Sequence, residues 1–499
     1  MLFNSAEFCL VFFPLVTALY FLLPHTWRWL LLLCASCWFY MAFVPLFILI
    51  LAFTIGVDYF AGHWIERSEG PRRKFFLIAS IVANVGVLAV FKYWDFLNGN
   101  LADLFGSIGI GYQVPKLNEW TFWGWLPAGL LLPIGLSFHT FQSLSYTIEV
   151  YRGHQKAERH FGVFALYVMF YPQLVAGPIE RPANLLNQLT TTGTNGIRST
   201  FDYARVAWGL KQMLWGFFKK LVIADRCGVV VDQVYGQVDG YEAPSLLLAT
   251  YLFAIQIYCD FSGYTDIALG AARVMGFDLM VNFRTPYRSA SISEFWSRWH
   301  ISLSSWFRDY LYIPLGGNRV GRGRLYFNLL VVFLVSGLWH GASWTYVIWG
   351  GMHGIYLILA LVFASFWSGF DRVTGFGNWP SARRVVSTMV TFHLVLLAWV
   401  FFRANNVQDA FAWYERVFTG PWPLSDLVSL YKDINTGLLD LTILLTGMFL
   451  LMDPVFDTWI KRERPWPTGL RGHLAFGSLA VAILLFGYFG STSFIYFQF

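Results

Sequence analysis

Long apolar stretches, separated by short basic or glycine-rich segments, set the rhythm of this chain. Runs such as Phe75–Val90, Leu325–Trp339, Tyr346–Phe366 and Val385–Phe402 approach or reach the roughly 20 residues that a helix needs to cross about 30 Å of hydrocarbon. Further apolar stretches occupy about 211–233 and 245–275. The opening "MLFNSAEFCLVFFPLVTALYFLL" lacks the basic start and small-residue cleavage site of a signal peptide and reads as a first retained span. The pattern predicts an all-α integral membrane protein, a polytopic helical bundle of about eleven or twelve spans. "FYPQLVAGPIERP" (170–182) sets three prolines and an ion-pair candidate, Glu180–Arg181, beside apolar stretches. Such backbone would leave amides unpaired in lipid, so re-entrant or interfacial elements packed within protein are expected there.

Charge orients the spans, because Lys and Arg in short loops favour the cytoplasmic side. "HWIERSEGPRRK" with Arg67, Arg72, Arg73 and Lys74 is expected inside, which puts the N-terminus outside. The segment Asp95–Trp125, with Asp103, Glu119 and Lys116, is expected to face outward. "YRGHQKAERH" (151–160), the segment 308–324 with Arg308, Arg319, Arg322 and Arg324, 371–384 and "KRER" (461–464) return to the cytoplasm. About 403–439 and the C-terminal "STSFIYFQF" then lie outside. No internal repeat or low-complexity linker interrupts the chain, which reads as one membrane domain over 1–499.

Composition agrees with this reading. Hydrophobic residues make up 57% of the 499 residues and charged residues 13%, about half the roughly 25% of soluble globular chains. Phe occurs 49 times and Trp 23 times, as in bilayer interiors and their aromatic belts. The net charge of +6 reflects cytoplasmic loops and gives no sign of nucleic-acid binding. Cys34 and Cys37 form a C-x-x-C spacing inside an apolar run without other ligands nearby, which reads as buried, inert thiols. No metal site is expected.

Candidate chemistry stands out against this apolar background. The run Leu325–Trp339 has 15 residues and reaches only about 22 Å, so His340 is expected at membrane depth. The following "HGAS" turns the chain back, with Gly341 allowing close approach or an unusual dihedral. A turn at that depth must be packed in protein or face a water-filled cavity, and a cavity-facing His340 suits proton transfer near neutral pH. His300 lies in "SISEFWSRWHISLSSWFRDYLYIPLGGN" beside Arg298 and Trp299, with Glu294, Arg308 and Asp309 nearby. A polar interfacial helix with its arginines paired to Glu294 and Asp309 explains that segment as well as a functional histidine does. Asp260 and Asp266 interrupt an apolar span; acids there are costly and functional by default, yet pairing to Arg273 or Arg298 accounts for them equally. His139 reads as a satisfied interhelical histidine. His353, 13 positions past His340 and distant along any continuous helix, reads the same way. No Walker loop, Rossmann glycine pattern, zincin H-E-x-x-H or G-x-S-x-G elbow appears.

Five ordered segments carry a resemblance: 131–153 "LLPIGLSFHTFQSLSYTIEVYRG", 171–182 "YPQLVAGPIERP", 260–270 "DFSGYTDIALG", 294–318 "EFWSRWHISLSSWFRDYLYIPLGGN" and 336–350 "SGLWHGASWTYVIWG". Together they resemble the bacterial membrane-bound O-acyltransferases, most nearly the alginate O-acetyltransferase branch, and "FIYFQF" is similar too. His139 departs modestly from the family, where aromatic residues are frequent at that place. The resemblance implies a central funnel surrounded by helices, with the acyltransferase core at about 130–360. It implies transfer of acyl groups from a cytoplasmic thioester, acetyl-CoA or an acyl-carrier protein, across the bacterial inner membrane to hydroxyls of an exported polysaccharide such as alginate. No bound cofactor is implied. A separate periplasmic SGNH/GDSL-like acetyltransferase is the partner implied. The family's essential histidine corresponds to His340 and a second functional histidine to His300; Trp339, Asp260, Tyr264, Asp266, Arg298 and Arg308 are expected to support or bind substrate. The alternatives are a polysaccharide or lipid-linked sugar transporter or flippase, a structural anchor, and, within the class, acylation of cellulose, peptidoglycan or teichoic acid. Transporters commonly carry internal repeats, which are not found here.

Overall fold

The computed structural model describes residues 1–117, 133–175, 177–190, 196–434, 436–460, 467, 469–490 and 494–495. Every regular element among them is helical. Eight helices are long and apolar enough to cross a membrane, and a shorter apolar helix covers Phe8–Leu22. Several apolar stretches that the sequence marks as spans fold as shorter pieces, such as His25–Met41 and Leu136–Arg152. His25–Met41 exposes Trp27, Trp38 and Met41, as lipid-facing surfaces do, whereas Leu136–Arg152 is buried almost throughout.

The chain divides into two compact units. The first comprises Met1–Met213 and Asp266–Met280. Its helices Ile48–Arg67, Gly70–Leu88 and Leu136–Arg152 pack on one another around the buried Asp58, whose carboxylate accepts from Ser80 Oγ at 2.6 Å and Asn84 Nδ2 at 2.9 Å. Interhelical polar contacts of this kind tie membrane helices together. The segment after the short helix Tyr171–Leu174 is irregular and buried, with Val175, Ile179 and Glu180 all shielded, as the sequence requires of such backbone. Glu180 is held by the Met280 amide at 2.5 Å and Asn184 Nδ2 at 2.7 Å.

Two sequence expectations change in this unit. The run Phe75–Val90 does not end before a loop at Asp95: the helix continues from Gly70 to Ser107 through a π-helical turn at Ala89–Tyr93. No proline lies between 91 and 107 and the helix runs through Gly99, so charge alone misplaces the boundary; Glu119 and Trp125 lie outside the described residues. The C-x-x-C thiols are free, but Cys34 is exposed and Cys37 only partly covered. An apolar helix in lipid needs no protein cover for a thiol.

The second unit comprises Leu214–Thr265 and Val281–Phe499. The helix Ala243–Met275 gives its first part to this unit and its last turns to the other. Helices Arg322–His340 and Trp344–Val362 form a tight antiparallel hairpin, and Pro380–Arg403 packs on its second arm. The hairpin closes because glycines bring the backbones together. A Cβ on Gly337 would lie 2.2 Å from the Tyr346 carbonyl oxygen, and one on Gly350 would lie 2.2 Å from that of Phe333. The segment "KRER" lies outside the described residues.

Candidate functional site

His340 ends the first arm of the hairpin. The helix begins at Arg322 rather than Leu325 and has 19 residues, or about 28 Å, so the sequence underestimates its reach. Gly341 then adopts an extended conformation, φ −161°, and a Cβ there would lie 2.2 Å from the Tyr346 ring. Of the two roles considered for this glycine, close approach is the one used. The ring of His340 is 3% exposed and packs against Trp339 at 4.9 Å, Trp349 at 4.8 Å and Phe402 at 5.6 Å. Its Nδ1 lies 2.7 Å from the Ser336 carbonyl oxygen. A carbonyl only accepts, so the proton sits on Nδ1 and the lone pair of the neutral ring on Nε2.

His300 is fixed by its backbone. It joins two short helices, Ile292–Arg298 and Ile301–Phe307, in the left-handed region at φ 43°. That region is rare outside glycine and marks a place where surrounding structure imposes strain. Ser291 caps the first helix by accepting from the Glu294 amide at 3.1 Å, as its residue type suggests. Asn282 starts the second: its carbonyl accepts from Ile301 N and its side-chain oxygen from Ser302 N. The His300 ring is fully buried, edge-on to Phe261 at 4.6 Å and 6.1 Å from Trp339. Burial, and then the charge that His340 would carry, hold its pKa well below the ordinary histidine value, so the ring is neutral near pH 7.

A cavity of about 160 Å³ is lined by residues of the helices that adjoin these two histidines. Its wall includes Trp296, Phe307, Leu329 and Phe333, with Arg308 and Tyr312 as polar members and Ser304 and Ser336 beside the histidines. Ser304 donates its amide to the His300 carbonyl, and Ser336 supplies the carbonyl that orients His340. The cavity wall is therefore hydrogen-bonded to the His300 backbone and to the His340 ring.

Charged groups surround the site in separate pairs. Arg298 bonds Glu294 at 2.7 Å, Arg308 bonds Asp309 at 2.8 Å, and Arg384 reaches Glu294 at 3.3 Å. The structural pairing read from sequence is the one observed. Asp260 meets neither Arg273 nor Arg298. Lys220 Nζ bridges Asp260 and Asp225 at 2.7 and 2.8 Å, all three side chains buried. The other Asp260 oxygen accepts from the Ile495 amide at 2.8 Å. That contact seats the C-terminal segment, where Phe494 stacks on Tyr264 at 4.6 Å and touches Phe261. Asp266 falls in the first unit, where Gln212 Nε2 donates to it at 2.9 Å and the same amide accepts from Arg273. Arg273 thus reaches Asp266 through a glutamine.

Comparison with known proteins decides the family. The chain is 38% identical over 432 residues to the probable alginate O-acetylase AlgI of Pseudomonas aeruginosa, covering 86% of this chain and 77% of that protein. The model of the membrane-bound O-acyltransferase family matches residues 154–402. This chain belongs to the membrane-bound O-acyltransferases. It is also similar to the probable alginate O-acetylase AlgI of Pseudomonas putida, 36% identical with 94% of this chain and 90% of that one covered. The peptidoglycan O-acetyltransferase of Helicobacter pylori is 33% identical, with 82% and 78% covered. A multi-pass O-acyltransferase of the alginate-acetylase branch is what these likenesses and the helical fold establish.

Within this O-acyltransferase, His300, His340 and Trp339 come together as the sequence expects. Tyr264 joins them indirectly, through Phe494 and Phe261; Arg308 lines the cavity, whereas Arg298 pairs with Glu294. Several participants escaped sequence reading. Lys220 sits in "FFKKLVIADR", where paired lysines inside an apolar run were a usable signal. Asn282 and the Ser336 carbonyl carried none. His353 was set aside for its distance from His340 along the chain, but the hairpin returns it: one Trp349 ring lies 4.8 Å from His340 and 5.2 Å from His353.

Proposed function

We propose that this protein takes an acetyl group from a thioester on the cytoplasmic side and passes it through the bacterial inner membrane to hydroxyls of an exported polysaccharide of the alginate type. The donor is acetyl-CoA or an acylated carrier protein, and a periplasmic SGNH/GDSL-like acetyltransferase completes delivery. The observation that carries this reading is the orientation of His340, which holds its proton at Nδ1 against Ser336 and leaves a basic Nε2. A thioester is already activated; an alcohol at neutral pH is not.

His340 Nε2 accepts the hydroxyl proton as the alcohol oxygen attacks the thioester carbonyl carbon. The tetrahedral intermediate collapses, the C–S bond breaks, and the departing thiolate takes the proton back from His340. The products are an acetate ester and a thiol, with no net change in the enzyme. General base catalysis of this kind contributes about 10²- to 10⁴-fold. His300, neutral and rigidly mounted, orients the donor beside it. Arg308, at the cavity wall, suits the anionic groups that both donor types carry.

The alginate-type acceptor is supported by the 36–38% identity to the AlgI proteins, against 33% to the peptidoglycan enzyme. His340→Ala is expected to abolish ester-linked acetate on the exported polysaccharide while the protein inserts and purifies normally. Unchanged acetate content with that variant overturns the reading. Acetate lost from peptidoglycan instead of the exported polymer overturns the acceptor.

A further inference from the structure

Among the described residues, three buried N–H groups in the aromatic cluster that Trp349 joins to His340 have no hydrogen-bond acceptor. The indole nitrogens of Trp349 and Trp399 and Nε2 of His353 lie without partners, in side chains that are 0%, 1% and 0% exposed. Their rings form one cluster, with centroids 5.2 Å apart for Trp349 and His353, 5.7 Å for Trp349 and Trp399, and 6.5 Å for His353 and Trp399. Trp296 donates its indole N–H to His353 Nδ1 at 3.3 Å. That bond fixes the neutral tautomer, so Nε2 carries a hydrogen and is a donor.

Leaving one such donor buried and unsatisfied costs about 1–3 kcal/mol, and folded proteins hold few of them. Three in a single aromatic cluster call for an explanation, and an acceptor that arrives from outside the chain supplies one. A water molecule would bring two hydrogens of its own into surroundings made of Phe295, Phe333 and Tyr356 rings. A carbonyl oxygen brings lone pairs alone. We propose that Trp349, His353 and Trp399 bind the carbonyl oxygen of the acyl thioester and stabilise the negative charge it gains when the hydroxyl attacks. The Trp349 ring stands between His340 and His353. In a water-excluded site, fixed donors of this kind act strongly on developing charge.

This inference rests on the acyltransferase reading, and the test separates the two. The probe is S-acetyl-N-acetylcysteamine labelled with ¹³C at the carbonyl, the thioester end that coenzyme A and carrier-protein donors share. Isotope-edited infrared spectra should show its carbonyl stretch moving to lower wavenumber on binding to wild type and to His340→Ala. The displacement should vanish in His353→Phe. Turnover of His353→Phe should fall about 10²-fold in kcat with little change in KM, and His353→Gln, which keeps an N–H, should recover part of it. Trp399→Phe should lower kcat in the same sense if His353→Phe does not fold. A carbonyl stretch in wild type equal to that of the free probe overturns the proposal. So does a kcat within twofold of wild type in His353→Phe or, where that does not fold, in Trp399→Phe. Either result leaves the loss of activity in His340→Ala intact, whereas an active His340→Ala overturns the base role of His340 itself.

Discussion

At the scale of the residue, backbone strain and side-chain chemistry coincide at His300. Its left-handed conformation, φ 43°, costs a non-glycine residue about 1–2 kcal/mol, a cost that asparagine tolerates better than a β-branched residue. His300→Asn is expected to unfold within a few degrees of wild type in detergent yet to lose most of its transfer activity. His300→Val should lose both activity and thermal stability. Equal melting temperatures for the two variants would show that this geometry is not under strain. His340 carries a different constraint, since a neighbour's carbonyl holds its Nδ1 proton. No substitution of the Ser336 side chain removes that carbonyl. Ser336→Ala should therefore keep the pH profile of turnover, which a titration of rate against pH checks.

At the scale of the element, the hairpin of Arg322–His340 and Trp344–Val362 sets the register of the site. Gly350 has the Phe333 carbonyl 2.2 Å from where a Cβ would stand, whereas Gly351 has only the Leu334 side chain at 3.5 Å. Gly350→Ala should separate the arms, displace His340 and lower kcat by about 10²-fold, since misplacement of about 1 Å has that effect. Gly351→Ala should be silent in the same assay. The buried Lys220 bridge answers to electrostatics. Lys220→Met leaves Asp225 and Asp260 facing each other without a cation and should cost about 3–5 kcal/mol of stability, seen as a lowered melting temperature. A melting temperature unchanged in Lys220→Met would mean that the two acids are not held as an ion-paired cluster.

At the scale of the whole molecule, stability depends on pH through Glu180. Burial raises its pKa from the ordinary glutamate value to about 7, against the opposing pull of the Met280 amide, Asn184 and Arg181. The folded chain then binds more protons than the unfolded chain between about 4.5 and about 7. Stability contributed by this group is full below that window and is lost as pH rises through about 7. Glu180→Gln should flatten this part of the profile of melting temperature against pH; an unchanged slope would remove Glu180 from it.

The sequence alone determined the membrane class, the helical fold and the family. Those rest on apolar run length, which hydrocarbon thickness dictates, and on ordered local motifs that chain neighbours spell out. Only tertiary structure decided which groups meet. Asp260 found Lys220 instead of an arginine, Asp266 reached Arg273 through Gln212, and the Gly70 helix ran on to Ser107. It also brought His353 back beside His340, because two helices packed backbone to backbone at Gly337 and Gly350 place residues far apart in the chain against one tryptophan ring. Separation along a chain limits contact only while the chain is straight, and a hairpin removes that limit.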